Sequence, residues 1–191
     1  MPPLASRMVA LGTPAPDFAL PDVSAPGAPM VRRDEVAGAH GLLVMFICNH
    51  CPFVKLVADE LAAIGRAYAG RGVGIVAISA NDAANYPDDA PDRMAAEAKD
   101  RGFVFPYLHD ETQDVARAYG AECTPDFFLF DRGGKLAYRG QLDDARPGNG
   151  VAPTGRDLRA ALDAVIAGAA PAPDQTPAIG CSIKWKAPTD G

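Results

Sequence analysis

Two thiols, Cys48 and Cys51, flank Asn49-His50 where an unbroken apolar run meets a helical pattern, and this junction constrains the fold more than any other feature. The run Leu42-Leu43-Val44-Met45-Phe46-Ile47 carries no polar residue. A strand apolar on both faces is a buried strand with layers on each side. After the second cysteine, Val54, Val57, Leu61, Ile64 and Tyr68 recur at spacings of three and four, the stripe of an amphipathic helix. The expectation is a strand over 42–47 and a helix over 51–69, stopped by Gly70 and Gly72. A C-x-x-C at such a turn suits redox chemistry. The thiolate is the reactive species, and the positive end of a helix dipole lowers thiol pKa in the first turn. Half a zinc knuckle or two inert buried thiols are the alternatives. Structural zinc takes four ligands, and the other candidates are the isolated Cys123 and Cys181 and three histidines, His40, His50 and His109. A redox pair with no metal and no cofactor is the reading that follows.

The remaining pattern alternates strands with helices. Val73–Ser79 is apolar on both faces, residues 81–91 form a loop, and Pro91 opens a helix that Gly102 ends near Arg101. A strand is expected over Phe103–Leu108. A short helix follows, closed by Gly120, with Asp110 and Gln113 as its capping box. Phe127–Phe130, the turn Asp131-Arg132-Gly133-Gly134 and Lys135–Arg139 read as a hairpin. The last helix takes Thr154 as N-cap, buries Leu158, Leu162, Val165 and Ile166, and closes at Gly168. In the tail, Ile179, Cys181, Ile183 and Trp185 alternate with small or polar residues, so an extended segment with Cys181 turned inward is expected. The whole gives an α/β protein, a mixed central sheet with helices on both faces.

The balance of charge is −6, with a pI near 5.0. Nucleic acid and anionic membrane are thereby disfavoured as partners, since both call for basic patches. No run reaches 18 apolar residues. The first 20 residues, broken by Pro2, Pro3, Arg7, Gly12, Pro14 and Pro16, lack a signal-type apolar core, so a cytoplasmic address is expected. In that reducing setting a C-x-x-C is catalytic rather than structural.

Three pieces of sequence carry a resemblance: Gly12-x-x-Ala15-Pro16-Asp17-Phe18, Cys48-Asn49-His50-Cys51-Pro52-Phe53-Val54 and Thr124-Pro125-Asp126. The tail Gly180-Cys181-Ser182-Ile183-Lys184-Trp185-Lys186 adds to it. The chain resembles the thioredoxin superfamily and, within it, the peroxiredoxin-like branch of the alkyl-hydroperoxide-reductase/thiol-specific-antioxidant (AhpC/TSA) proteins. The resemblance covers nearly the whole chain. It implies one thioredoxin-like domain over 1–191, with a core of about 11–168 and a tail of 169–191, an N-terminal extension and a helical crossover insert. It implies thiol-disulfide exchange with protein or small-molecule disulfides and thiols, or peroxide reduction. A peroxiredoxin places Pro seven and Thr or Ser three residues before its peroxidatic cysteine. Counting back from Cys51 gives Val44 and Cys48, and from Cys48 gives Gly41 and Met45. Exchange is therefore favoured over peroxidase chemistry.

Roles follow. Cys48, at the loop tip, is expected as nucleophile and Cys51 as resolving thiol. His50, with Asn49 and Pro52, is expected to tune the pair, since an imidazole beside a thiolate stabilises it. The resemblance puts a cis peptide at Thr124-Pro125, opposite the dithiol, as the substrate-binding backbone. Cys123 and Cys181 are core thiols or, in a sharper reading, a third redox thiol. Leu42–Ile47 contains no acid to deprotonate Cys51.

Overall fold

The computed structural model describes residues 3–187, so the ends of the expected 1–191 unit, residues 1–2 and 188–191, lie outside the described residues. In chain order the elements are β1 (Leu4–Ala5), β2 (Ala19–Pro21), β3 (Met30–Arg32), α1 (Arg33–Val36), β4 (Gly41–Phe46), α2 (Pro52–Tyr68) and β5 (Val73–Ser79). There follow α3 (Pro91–Arg101), β6 (Tyr107–His109), α4 (Asp114–Tyr119), β7 (Cys123–Thr124), β8 (Asp126–Asp131), β9 (Leu136–Tyr138), α5 (Arg156–Ile166) and β10 (Ile179–Ser182).

The main sheet has the order β6-β5-β4-β8-β9, with β4, β5 and β6 parallel and β8 and β9 antiparallel to their neighbours. Its centre, β4, is buried at every position. The pleat divides it: Leu43, Met45 and Ile47 join one apolar cluster with α2, α3 and α5, while Leu42, Val44 and Phe46 join a second with α4 and Ile183. Burial of each such side chain stabilises the fold by about 1.5–3 kcal/mol. The layers are therefore helix, mixed sheet, helix. The stripe on α2 is the inward face, where Val54, Val57, Leu61, Ile64 and Tyr68 are all buried. Pro52 begins the helix, where its missing N–H costs nothing.

Four expectations need correction. Residues 103–106 are not strand; only Tyr107–His109 pairs, with β5. Phe105 instead turns onto α2 at Gly65, where a Cβ would sit 2.7 Å from its ring. Asp110 and Gln113 do not make a capping box. Gln113 itself is the N-cap of α4, at φ +67°, while the Asp110 carboxylate accepts from Ala116 N–H (2.8 Å). Thr154 is not the N-cap of α5. Gly155 takes that place in a left-handed conformation, and Asp143 accepts from the N–H groups of Thr154 and Gly155, both at 2.7 Å.

The tail docks as β10, antiparallel to both β7 and β1, but does not present one apolar face. Cys181 packs on the first cluster and Ile183 enters the second. Trp185 is exposed under the guanidinium of Arg117, 4.4 Å from its ring centroid. Gln113 helps hold this tail, donating to Lys184 O (2.9 Å) and accepting from Lys186 N–H (2.9 Å).

Candidate active site

Strand β4 ends at Phe46 and α2 begins at Pro52, so the two cysteines occupy the turn between them, with Cys51 as N-cap. Across from them runs Thr124-Pro125, whose peptide is cis as expected. The Cys48 Sγ lies 3.3 Å from Thr124 Oγ1, and the Cys51 Sγ 3.2 Å from Thr124 O. The structure thus brings Cys48, Cys51, Thr124 and Pro125 together. The expected difference in accessibility is not present: Cys48 is 1 % exposed and Cys51 0 %.

The two thiols are shifted in opposite directions. Cys48 is raised well above the ordinary thiol value, first because it donates to Cys51, then by burial and by the Asp89 carboxylate. Cys51 is lowered to about 5, first because it accepts from Cys48, against the opposing effect of burial. Further help comes from the Cys181 thiol and from the backbone at Val54 and Cys181. A bond from Cys51 to Thr124 O requires a proton on Cys51 and belongs to the fully protonated pair. Once one proton leaves, the charge settles on Cys51, because Cys48 faces the buried carboxylate while Cys51 caps a helix N-terminus. The low titration belongs to the pair rather than to one residue.

Asp89 is the residue that the sequence did not single out. It closes a short 3₁₀ turn, Pro87–Asp89, inside the stretch read as a plain loop, and it is fully buried. Its carboxylate accepts from Asn49 N–H (2.7 Å), His50 N–H (3.3 Å) and Asn81 Nδ2 (2.8 Å), and pairs with His50 Nδ1 at 2.5 Å. Burial pushes its carboxyl up, but the bonds from His50, Asn81 and Asn49 outweigh this and hold it below the usual value. Asn49 and His50, expected to tune the pair, are thus fixed rather than free. Asn49 is also held by Tyr107, which donates to its Oδ1 (3.1 Å), and His50 stacks on Tyr86 with centroids 5.3 Å apart. The only sequence signal was a run of acids after Pro87, indistinguishable from a solvated turn.

Cys48, His50 and Asp89 each place a metal-ligating atom within 4.8 Å of the others. The donor set does not fit an ion as it stands. Both Asp89 oxygens and His50 Nδ1 are engaged in the bonds just described, leaving one sulfur and one ring nitrogen.

The other two cysteines separate. Cys123 is fully buried, with its Sγ 3.9 Å from Pro125 O, and burial with the Asp126 charge pushes it far above the ordinary thiol range. Asp126 makes a buried fork with Arg139, one arm at 2.9 Å, and burial still raises its carboxyl to about 6. Cys181 is half-buried and packs on the cluster that contains Cys51; burial first, then the Cys51 thiol, raises it to about 11.

A mixed sheet carrying a C-x-x-C at the start of a helix, opposite a cis-proline, defines a thioredoxin-fold protein with a buried dithiol. Residues 11–139 match the AhpC/TSA family, and the chain belongs to that family. Two solved structures are similar over nearly their full length. An uncharacterised conserved protein from Geobacillus kaustophilus is 52 % identical, with 97 % of each chain covered and a TM-score of 0.94. A hypothetical protein from Sinorhizobium meliloti is 51 % identical, with coverage of 96 % of this chain and 98 % of that one and a TM-score of 0.92. A thiol:disulfide interchange protein of the thioredoxin family from Chlorobium tepidum shares the fold at 18 % identity, with 85 % and 99 % covered and a TM-score of 0.60. No curated protein matches the chain. Among the described residues, no helix is long and apolar enough to cross a membrane.

Proposed function

We propose that this protein is a thiol-disulfide oxidoreductase that cycles Cys48 and Cys51 between dithiol and disulfide. The observation that carries the reading is the placement of the two thiols: both lie in the turn into α2, opposite the cis Thr124-Pro125 peptide, with Cys48 Sγ 3.3 Å from Thr124 Oγ1 and Cys51 Sγ 3.2 Å from Thr124 O. In this reading Cys51, lowered to about 5, carries the charge of the pair at neutral pH. As Cys48 attacks a substrate disulfide, its proton passes to the neighbouring Cys51, so no buried acid in β4 is required for this step. The first substrate sulfur leaves as thiolate; Cys51 then attacks the Cys48 sulfur of the mixed disulfide, the Cys48–substrate bond breaks, and the second substrate sulfur leaves with the proton Cys51 held, so Cys48–Cys51 is oxidised and the substrate reduced. The backbone at Thr124-Pro125, buried opposite the dithiol and with β7 paired to β10, is the proposed contact for the substrate disulfide, protein or small molecule. A cytoplasmic address, expected from the sequence, makes the dithiol the resting form.

The test is the reduction of insulin disulfides with dithiothreitol as donor. Wild type should accelerate the reaction, Cys48→Ser should abolish the acceleration, and Cys51→Ser should accumulate mixed disulfides. No acceleration by wild type contradicts the proposal. One observation favours a second reading, a slow thiol peroxidase: Thr124 brings a hydroxyl within 3.3 Å of Cys48 from outside either counting frame. The buried Arg139, however, is committed to Asp126, Arg7 O and the Phe128 ring. Peroxide consumption at rates typical of dedicated peroxidases would promote that second reading over the first.

A further inference from the structure

The C-terminal strand ends beside the dithiol, and its register decides which cysteine it delivers there. Cys181 pairs directly with Thr124, and Ser182 with Cys123. Directly opposed residues of an antiparallel pair project to the same face, and successive residues to opposite faces. Cys181 therefore shares a face with the Thr124 side chain, whose hydroxyl touches Cys48. Cys123, paired with Ser182, points to the other face. Cys181 packs against the cluster that contains both Cys48 and Cys51, near enough to Cys51 for each thiol to shift the other. Cys51 is thus the sulfur common to two thiol neighbours.

The strand is held firmly in this position. Ser6 N–H donates to Ala178 O (2.8 Å) and Ile183 N–H to Glu122 O (2.9 Å). Lys184 N–H donates to Asn81 Oδ1 (2.8 Å), and Asn81 is itself bonded to Asp89. Close approach depends on Gly180, where a Cβ would lie 1.9 Å from Thr124 O. Backbone cannot yield as a flexible side chain does, so a larger residue there lifts the strand from Thr124.

We propose that Cys181 is a third redox thiol, exchanging with the active-site disulfide to form an alternative Cys51–Cys181 bond. The step rests on the Cys48–Cys51 disulfide of the proposed function. Cys181, as thiolate, attacks the Cys51 sulfur. The Cys51–Cys181 bond forms, the Cys48–Cys51 bond breaks, and Cys48 leaves with the electron pair and takes up the proton that Cys181 lost. No oxidant is consumed, because the disulfide only changes partners. Its consequence is that Cys48 is freed while the oxidising equivalent is stored on the tail strand.

The experiment is oxidation of the full chain with glutathione disulfide, acid quenching, alkylation and non-reducing peptide mapping. Wild type should show Cys48–Cys51 as the main bond and Cys51–Cys181 in about a tenth of oxidised molecules, which corresponds to couples about 30 mV apart. Cys48→Ser should convert to Cys51–Cys181, and Cys123→Ser should leave the wild-type pattern unchanged. Adding Gly180→Ala to Cys48→Ser should slow formation of the bond at least tenfold while Cys181 is still present. The proposal is overturned if Cys48→Ser keeps Cys51 and Cys181 free, stops at a glutathione adduct on Cys51, or bonds Cys123. It is equally overturned if wild type shows no Cys51–Cys181. A wild type that forms no Cys48–Cys51 at all instead sinks the proposed function, so the two failures are distinct.

Discussion

Two thiols in this protein sit beside a buried carboxylate, Cys48 near Asp89 and Cys123 near Asp126, and they have opposite prospects. In both places burial and the neighbouring negative charge raise the thiol. The carboxylates differ in how they are held. Asp89 takes backbone N–H groups, an amide and an imidazole and is held below its usual value, whereas Asp126 takes the fork of Arg139 and is raised to about 6. The decisive difference is the second sulfur. Cys48 has Cys51, a helix N-cap, to receive its proton, while Cys123 has only a weak contact to Pro125 O. Burial next to a carboxylate holds a thiol protonated; in the proposed reading, a second thiol at a helix N-terminus is what converts the same setting into a redox pair.

The comparison breaks most readily at the Asp126–Arg139 fork. Arg139→Met leaves a buried carboxylate unpaired and should cost about 3–5 kcal/mol, read by urea denaturation at pH 7. The potential of the folded fraction should be unchanged, because the fork touches neither Cys48 nor Cys51. A shifted potential would join the two regions into one site.

Next in size is His50→Pro. It removes both the imidazole and the N–H that bind Asp89, leaving that charge less compensated beside Cys48. The single thiolate of the pair should be destabilised by that charge, and the couple should become more reducing by about 30–60 mV, or roughly 1.4–2.8 kcal/mol. Glutathione titration of both proteins at one pH reads the shift, and an unchanged or more oxidising potential would make His50 a bystander. The smallest effect is expected at the inert site. Cys123→Ala should cost about 1 kcal/mol of stability through lost packing and leave disulfide exchange intact.

The sequence showed the parts whose signal is local and left hidden those made by tertiary contact. The strands over 42–47 and 73–79 were legible as apolar runs, and the helices expected over 51–69 and 91–101 as segments with a stop signal, Gly70 after α2 and Gly102 after α3. The dithiol and Thr124-Pro125 were legible as motifs. Asp89 was not, because nothing in Pro87-Asp88-Asp89 shows which of its two acids turns inward onto Asn49 and His50. Asp110 and Thr154 looked like caps by residue type, yet Gln113 takes the N-cap position of α4 with its side chain bonded to the tail, and Asp143 accepts the bonds expected of Thr154. Phe105 left the strand pattern for a gap that Gly65 opens 40 residues earlier, a contact that no local window contains.

The central claim is that Cys48 and Cys51 form a reversible couple that shares one proton. It is tested most directly by measuring the glutathione redox potential of the pair between pH 6 and 8, with alkylation and mass mapping to locate the bond. This range lies above the titration of Cys51 at about 5 and below that of Cys48, which is raised well above the ordinary value. Reduction should therefore take up one proton for two electrons, and the potential should fall by about 30 mV for each unit rise in pH. A fall of about 59 mV per unit would mean two protons taken up and no shared thiolate. Thiols at Cys48 and Cys51 that stay free across the titration would contradict the account outright.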